Sequence, residues 1–237
     1  VEYSNNSNSY YSATSQLNSN SNIQKNTGFN QLDFLQKIAI PLSKKSDLMF
    51  NLQYSKSSDI DRFDKLTEYA DDALKFSEWY YGPQKRLLIS TQLKVNPDKK
   101  WLKKGTITAA FQNINESRIQ RKFTSLERSY RDEDVNVFSL NGDFFVPIVK
   151  GDSRILSYGF EGTYNDVNSN AYGKTLDVYS NTIVGFTNDD FTVQSRYPDG
   201  GSSYTSLASY VNYRQDINKK TTLNTGLRII NTQLKAT

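Results

Sequence analysis

Six carboxylates crowd one stretch of the chain: Asp59, Asp61, Asp64, Glu68, Asp71 and Asp72. Hard cations take several oxygen ligands, and Asp-x-Asp spacing supplies two of them. Asp59, Asp61 and Asp64 therefore form a candidate cation site. No EF-hand pattern or its glycine surrounds them, so a solvated polar loop is the competing account. A second cluster, Arg118, Arg121, Lys122, Arg128 and Arg131, could attract anions. The interleaved Glu116, Glu127, Asp132, Glu133 and Asp134 nearly cancel it. With no basic stripe surviving, nucleic-acid binding is disfavoured. A carboxylate pair could serve glycoside hydrolysis, but no pattern selects one pair among 25 acids.

The residues that are missing decide more. The chain holds no Cys and no His in 237 residues. That excludes disulfide scaffolds, zinc-thiolate sites, Cys nucleophiles, Ser-His-Asp hydrolysis and HExxH chemistry. The expectation is a protein without catalytic residues, metal centre or cofactor, and not an enzyme. Twenty-nine basic residues against 25 acidic give a net charge of +4, mild for this length. No apolar run approaches the length of a membrane-spanning helix. The 16 Tyr and 13 Phe keep so hydrophilic a chain out of the disordered class. No initiator Met or export leader opens it, which reads as a mature form or a piece of something larger.

The elements that must position these residues are strands. Leu48, Phe50, Leu52 and Tyr54 alternate with polar neighbours, as do Leu87, Ile89, Thr91, Leu93 and Val95. Leu156, Tyr158, Phe160 and Tyr164 do the same, as do Leu32, Phe34, Ile38 and Ile40, and Phe138, Leu140 and Phe144. Period two means strands with one apolar and one polar face. The spacing predicts strands over 29–40, 47–56, 85–95, 105–121, 134–147, 154–166, 201–214 and 221–234. Residues 1–27 read as a polar Asn/Ser-rich loop or arm, and 28–237 as one sheet-forming segment. Short connections alternate with long polar ones at 57–84, 122–133 and 167–200. That rhythm predicts an all-β antiparallel up-and-down meander of about eight strands, part of a transmembrane β-barrel. Tyr54, Trp79, Tyr80, Tyr81 and Trp101 sit near strand ends, where aromatic girdles of such barrels lie. The dipeptides Gly82-Pro83 and the run Pro198-Asp199-Gly200 mark tight turns.

Four stretches also carry a family resemblance: Asn51 to Thr67, Glu78-Trp79-Tyr80-Tyr81-Gly82-Pro83-Gln84-Lys85-Arg86-Leu87-Leu88, Arg196-Tyr197-Pro198-Asp199-Gly200-Gly201 and Thr225-Gly226-Leu227-Arg228. They resemble TonB-dependent outer-membrane receptors of the haemoglobin/transferrin/lactoferrin type, with Asp61 where proline is expected. The resemblance implies a barrel of about 22 strands, of which this chain would be an interior segment of about a third. It implies uptake of iron carriers, haem or another bulky nutrient, and a location in the bacterial outer membrane. The implied partners are outer-membrane lipid, the remaining barrel strands, a plug domain and, through that plug, TonB. Phe50, Leu52, Tyr158 and Phe160 would meet lipid, while Gln53 and Glu161 face the lumen. Arg62, Asp64, Trp79, Tyr80, Tyr81, Arg196 and Tyr197 become candidates for meeting ligand at the loop mouth. The alternatives are a complete small outer-membrane barrel acting as porin or scaffold, and a soluble β-sandwich domain that binds carbohydrate or protein.

Overall fold

A computed structural model describes residues 2–3, 16–17, 20, 22–149, 153–198 and 201–236. Most of the stretch expected to be a polar arm, and Asp199 and Gly200 of the Pro-Asp-Gly turn, lie outside them. Within the arm β1 (Glu2–Tyr3) pairs with β2 (Gln16–Leu17). Then come β3 (Gln31–Ser43), β4 (Ser46–Ser57), β5 (Ile60–Asp61), α1 (Phe63–Leu66), β6 (Tyr69–Ala70), β7 (Ala73–Leu74) and β8 (Phe76–Tyr81). The chain continues through β9 (Lys85–Val95), β10 (Lys104–Lys122), β11 (Glu127–Pro147), β12 (Arg154–Tyr179), β13 (Thr182–Phe191), β14 (Ser202–Asn218) and β15 (Thr221–Ala236). Eight long strands, β3-β4-β9-β10-β11-β12-β14-β15, lie side by side in chain order, and every pair is antiparallel.

The registers carry the alternating pattern from strand to strand. Ile38 pairs Phe50, Phe50 pairs Thr91, Ile89 pairs Phe111, Phe111 pairs Phe138, and Phe138 pairs Tyr164. Directly opposed residues in an antiparallel ladder share a face. One face of the sheet therefore carries a continuous apolar band from β3 to β15. Gln53, Ser90, Gln112, Val137 and Glu161 belong to the other, which is mainly polar. Aromatic contacts tie the apolar face together: Phe111 to Phe138 at 5.0 Å between centroids, and Phe144 to Tyr158 at 5.2 Å.

The sheet is open, and this overturns the barrel. Among the described residues β3 pairs only with β4 and β15 only with β14. Closure needs the first and last strands to pair, with consistent tilt and shear. Alternation specifies two faces for each strand, but it is silent on whether two distant edges meet. The transmembrane barrel wall and the complete small barrel are both corrected to an open antiparallel meander. Among the described residues no helix is long and apolar enough to cross a membrane.

The long polar connections are also more structured than expected. Residues 167–200 extend β12 to Tyr179 and return as β13 through Ser180 and Asn181, both at positive φ. Two such central residues make the turn whose twist suits a two-residue hairpin. Asp71 and Asp72 do the same between β6 and β7. Leu66, Leu74, Phe76, Phe123 and Leu176 are buried together with these excursions at the loop end.

Glycine is required where rings lie across the sheet. A Cβ on Gly159 would sit 2.2 Å from the Gly142 carbonyl oxygen, while one on Gly185 meets nothing. Gly159→Ala should therefore cost about 1–3 kcal/mol through forced backbone displacement, and Gly185→Ala should stay within about 0.5 kcal/mol. Urea unfolding of the two variants checks this; equal midpoints would contradict the close approach.

Candidate functional site

The site grows from β8 and the short α1. β8 pairs the loop end of β10, with Tyr81 opposite Arg118, Tyr80 opposite Ile119 and Trp79 opposite Gln120. Alternation sends Trp79 and Tyr81 to the polar face and Tyr80 to the other. The three aromatics therefore form no girdle. Arg62, just before α1, lies over both polar-face rings, its guanidinium carbon 4.8 Å from the Trp79 centroid and 5.6 Å from that of Tyr81. Trp79 and Tyr81 meet edge to face at 5.4 Å. Asp64 accepts from Arg62 Nε at 2.7 Å and Nη2 at 2.6 Å, and Arg62 Nη1 donates to Tyr81 Oη at 2.7 Å. The bonds to Asp64 are the main reason the Arg62 guanidinium holds its proton above the ordinary arginine range. Planar bidentate pairing fixes this arginine in one orientation.

Beside it stands Arg118, 5.5 Å from the Tyr81 centroid and bonded through Nη2 to Glu116 Oε1 at 3.1 Å. Arg196 Nη1 approaches the same oxygen at 3.9 Å, and Arg131 Nε donates to the Gln194 carbonyl at 3.1 Å. These two contacts bring residues 192–198 to the polar face. Tyr197 follows, with Arg196 at 5.9 Å from its ring. Opposite Glu116 on β11 is Glu133, only 4% exposed. Among the described residues neither Glu133 carboxylate oxygen has a hydrogen-bond partner, nor does Arg118 Nε or the neighbouring Ser169 Oγ. Burial pushes the Glu133 carboxyl up, against the pull of Arg118 and Arg196. From Glu116 a groove of ≈ 530 Å³ runs across the sheet to Ile114, Arg86, Ser55, Gln53 and Asp33. Ser55 and then Gln31 hold the Asp33 carboxyl below its usual range.

Of the residues singled out in the sequence, Arg62, Asp64, Trp79 and Tyr81 form one cluster, and Arg196 joins it through Glu116. Tyr80 lies on the far side of the sheet, where burial beside Glu78 pushes its phenol up to about 12. The carboxylates do not assemble into a cation site. Asp64 is committed to Arg62, and Asp71 and Asp72 form a turn. Asp61 is raised by burial and then by Asp59. Among the described residues no group of three or more His, Cys, Asp or Glu is placed to hold a metal. The expected mixed-charge extension divides in two. Glu116, Arg118 and Glu133 enter the polar-face site. Arg121 and Arg128 cross to the other face, where both bind Glu78, Arg121 Nε at 3.2 Å and Arg128 Nε at 2.6 Å. Opposed pairing of Glu116 with Glu133 and Arg118 with Arg131 was the missing signal. It depends on a register that charge counting does not supply.

No family model matches the chain, and no curated protein matches it. The resemblance to TonB-dependent receptors thus finds no support, and the open sheet leaves no barrel for a plug to fill. The expected plug, TonB and remaining-strand partners fall with it, as does nutrient uptake by a barrel wall. So does the spanning element on which lipid contact and an outer-membrane location rested.

Two outcomes test this geometry. Glu78→Gln leaves two largely buried arginines without their counter-charge and should destabilise the fold by about 3–5 kcal/mol, read from urea unfolding. Tyr210 donates to Asp143 Oδ1 at 2.6 Å, and burial, then that bond, raise its phenol to about 12. Its folded value exceeds the unfolded one near 10, so its stabilisation holds below about pH 10 and is lost towards 12. An ultraviolet titration should show Tyr80 and Tyr210 ionising last; uniform titration near 10 in the folded chain would contradict it.

Proposed function

We propose that this chain is a non-catalytic β-sheet binding domain whose polar face takes a neutral, hydroxyl-rich ligand of the carbohydrate class. The observation that carries this reading is the set of unpartnered polar atoms at Glu133, Arg118 and Ser169 beside the fixed Arg62. A buried polar atom without a partner costs about 1–3 kcal/mol. Sites retain such atoms where a ligand completes them. The set contains both a donor, Arg118 Nε, and acceptors, the two Glu133 oxygens. A cation would meet Arg118 and Arg196; an anion would meet Glu116 and Glu133. A hydroxyl both donates and accepts, so it answers each group without importing charge. Trp79 and Tyr81 give the cluster an aromatic wall, and the groove floor from Asp33 to Glu116 continues the same mixture of donors and acceptors. The chain contains no histidine or cysteine, so His-based and Cys-based chemistry has no residue to act through.

The test uses Trp79 as reporter. Trp79 and Trp101 are the two tryptophans of the chain, so Trp101→Phe leaves Trp79 alone. Neutral α- and β-linked glucose oligosaccharides should shift its emission saturably. Arg118→Ala should weaken binding roughly 10-fold or more, as expected for one hydrogen bond to a charged group. Glu133→Gln should lose affinity while gaining stability. The raised folded pKa of Glu133 means its ionisation opposes folding as pH rises through that value. The gain should therefore appear at pH 7 and fade near pH 4. No emission change with any oligosaccharide, or a Glu133→Gln variant that binds normally, would reject the assignment.

A further inference from the structure

The geometry points to a second copy of this chain as the cover for the apolar face, the two sheets stacking face to face into a sandwich. This inference is independent of the ligand site, which lies on the opposite face. The face is large. Phe34, Phe50, Ile89, Phe138, Leu207 and Leu227 all point to it from strands across the whole sheet, and all are exposed. Eight strands at ~4.8 Å spacing span roughly 35 Å, and an apolar band of about nine residues rises nearly 30 Å. The band thus covers on the order of 1,000 Å², above the ~800 Å² per partner of a stable protein interface.

Nothing within the described chain can cover it. Apart from the main sheet the described residues form only the two-stranded pairs β1-β2 and β6-β7 and the four-residue α1, which sits at the loop end. The band holds no Asp, Glu, Lys or Arg: between Leu32 and Leu42 on β3, Leu48 and Tyr54 on β4, Leu87 and Val95 on β9, and Phe138 and Val146 on β11, its alternate residues are uncharged. A second copy therefore brings no buried charge and no like-charge contact. The relief is self-complementary. A groove of ≈ 600 Å³ passes over the small residues Ala109 and Gly162, flanked by Phe111, Phe138 and Leu207. Phe138 is 50% and Leu207 56% exposed. Across a two-fold axis these ridges enter the partner's groove, the way inner faces of stacked sheets interdigitate. The charged and amide row formed by Lys85, Asn115, Asp132, Asp134 and Asn168 bounds the band at the loop end. With the two-fold axis near the centre of the band, both such rows lie at the rim.

Sedimentation of the full 237-residue chain without detergent tests this. The expected species is a dimer, and Leu207→Glu should weaken it ~100-fold, because a two-fold interface contains the substitution twice. Lys37→Glu, on the polar face, should leave the dimer intact. Since Leu207→Glu could also disturb folding, a second measurement uses the absence of cysteine. Phe138→Cys should give a covalent dimer with a short bis-maleimide, whereas Lys37→Cys should not. A monomer in detergent-free buffer overturns the proposal. So does a chain that disperses only in detergent or phosphatidylcholine vesicles without Phe138→Cys cross-linking. Equal cross-linking from both positions would show unspecific association and overturn it as well.

Discussion

A single layer of strands has no second layer to lean on, so the antiparallel hydrogen-bond ladder is the constraint that everything else obeys. β11 and β12 pair without interruption from Glu127↔Thr175 to Pro147↔Ile155. Each residue in that ladder is fixed in height against two neighbours, and its side chain is fixed to one face. Cross-strand pairs then supply what a core would: Phe111 on Phe138, Phe144 on Tyr158, Tyr130 on Tyr172 at 4.8 Å. Such pairs add about 0.2–1 kcal/mol each. They stiffen the sheet but remove little apolar area from water. Burial is concentrated at the two ends, around Leu66, Leu74, Phe76 and Leu176 at the long connections and Leu102, Val146 and Ile155 at the short ones.

The ladder also explains how two neighbouring clusters of the same residue types behave differently. Glu78 with Arg121 and Arg128 is enclosed, and its charges answer one another. That arrangement locks β8 to β10 and β11 and leaves the Glu78 carboxylate no free role. One residue along each strand, alternation turns the side chains to the opposite face. There Glu116 is shared between Arg118 and Arg196, and the Glu133 carboxylate has no hydrogen-bond partner among the described residues. The first cluster is structural because it is satisfied. The second is a candidate site because it is not.

Much of this was legible in the sequence, and the boundary is physical. Leu48-Phe50-Leu52-Tyr54 and the other alternating runs mark strands because a pleated strand faces two environments. The same signal fades beyond Val135 and Tyr164, where both faces turn polar, so periodicity alone does not show the extension of β12 to Tyr179. Ser180-Asn181 and Asp71-Asp72 are turn residues whose left-handed conformations no periodicity announces. Arg62, Asp64, Trp79 and Tyr81 could be singled out because they lie close in sequence around one connection. Arg118, Glu133 and Ser169 come from three strands, and only the pairings Glu116↔Glu133 and Glu133↔Ser169 bring them together. Closure is the feature least legible in the sequence. Whether β3 meets β15 depends on accumulated twist, tilt and shear over eight strands, and no local residue encodes that sum.

An open sheet with a charge-free apolar band on one face and polar groups on the other divides its surface between two kinds of contact. Area on the apolar face is worth burying against almost any matching surface, since hydrophobic attraction is non-directional. It can assemble, but it discriminates poorly. Discrimination needs fixed donors and acceptors, and these lie opposite, where Arg62 is held by Asp64 and Tyr81 and Arg118 by Glu116. Long strands make this division possible. β10, β11 and β12 run well past the apolar band, so their loop-end halves carry Glu116, Arg118, Glu133 and Ser169 without interrupting it. The cost of the buried, unpartnered Glu133 is then tolerable because the ladder on both sides of it is continuous. Stability is supplied along the strands, and the site occupies the stretch where the sheet has length to spare.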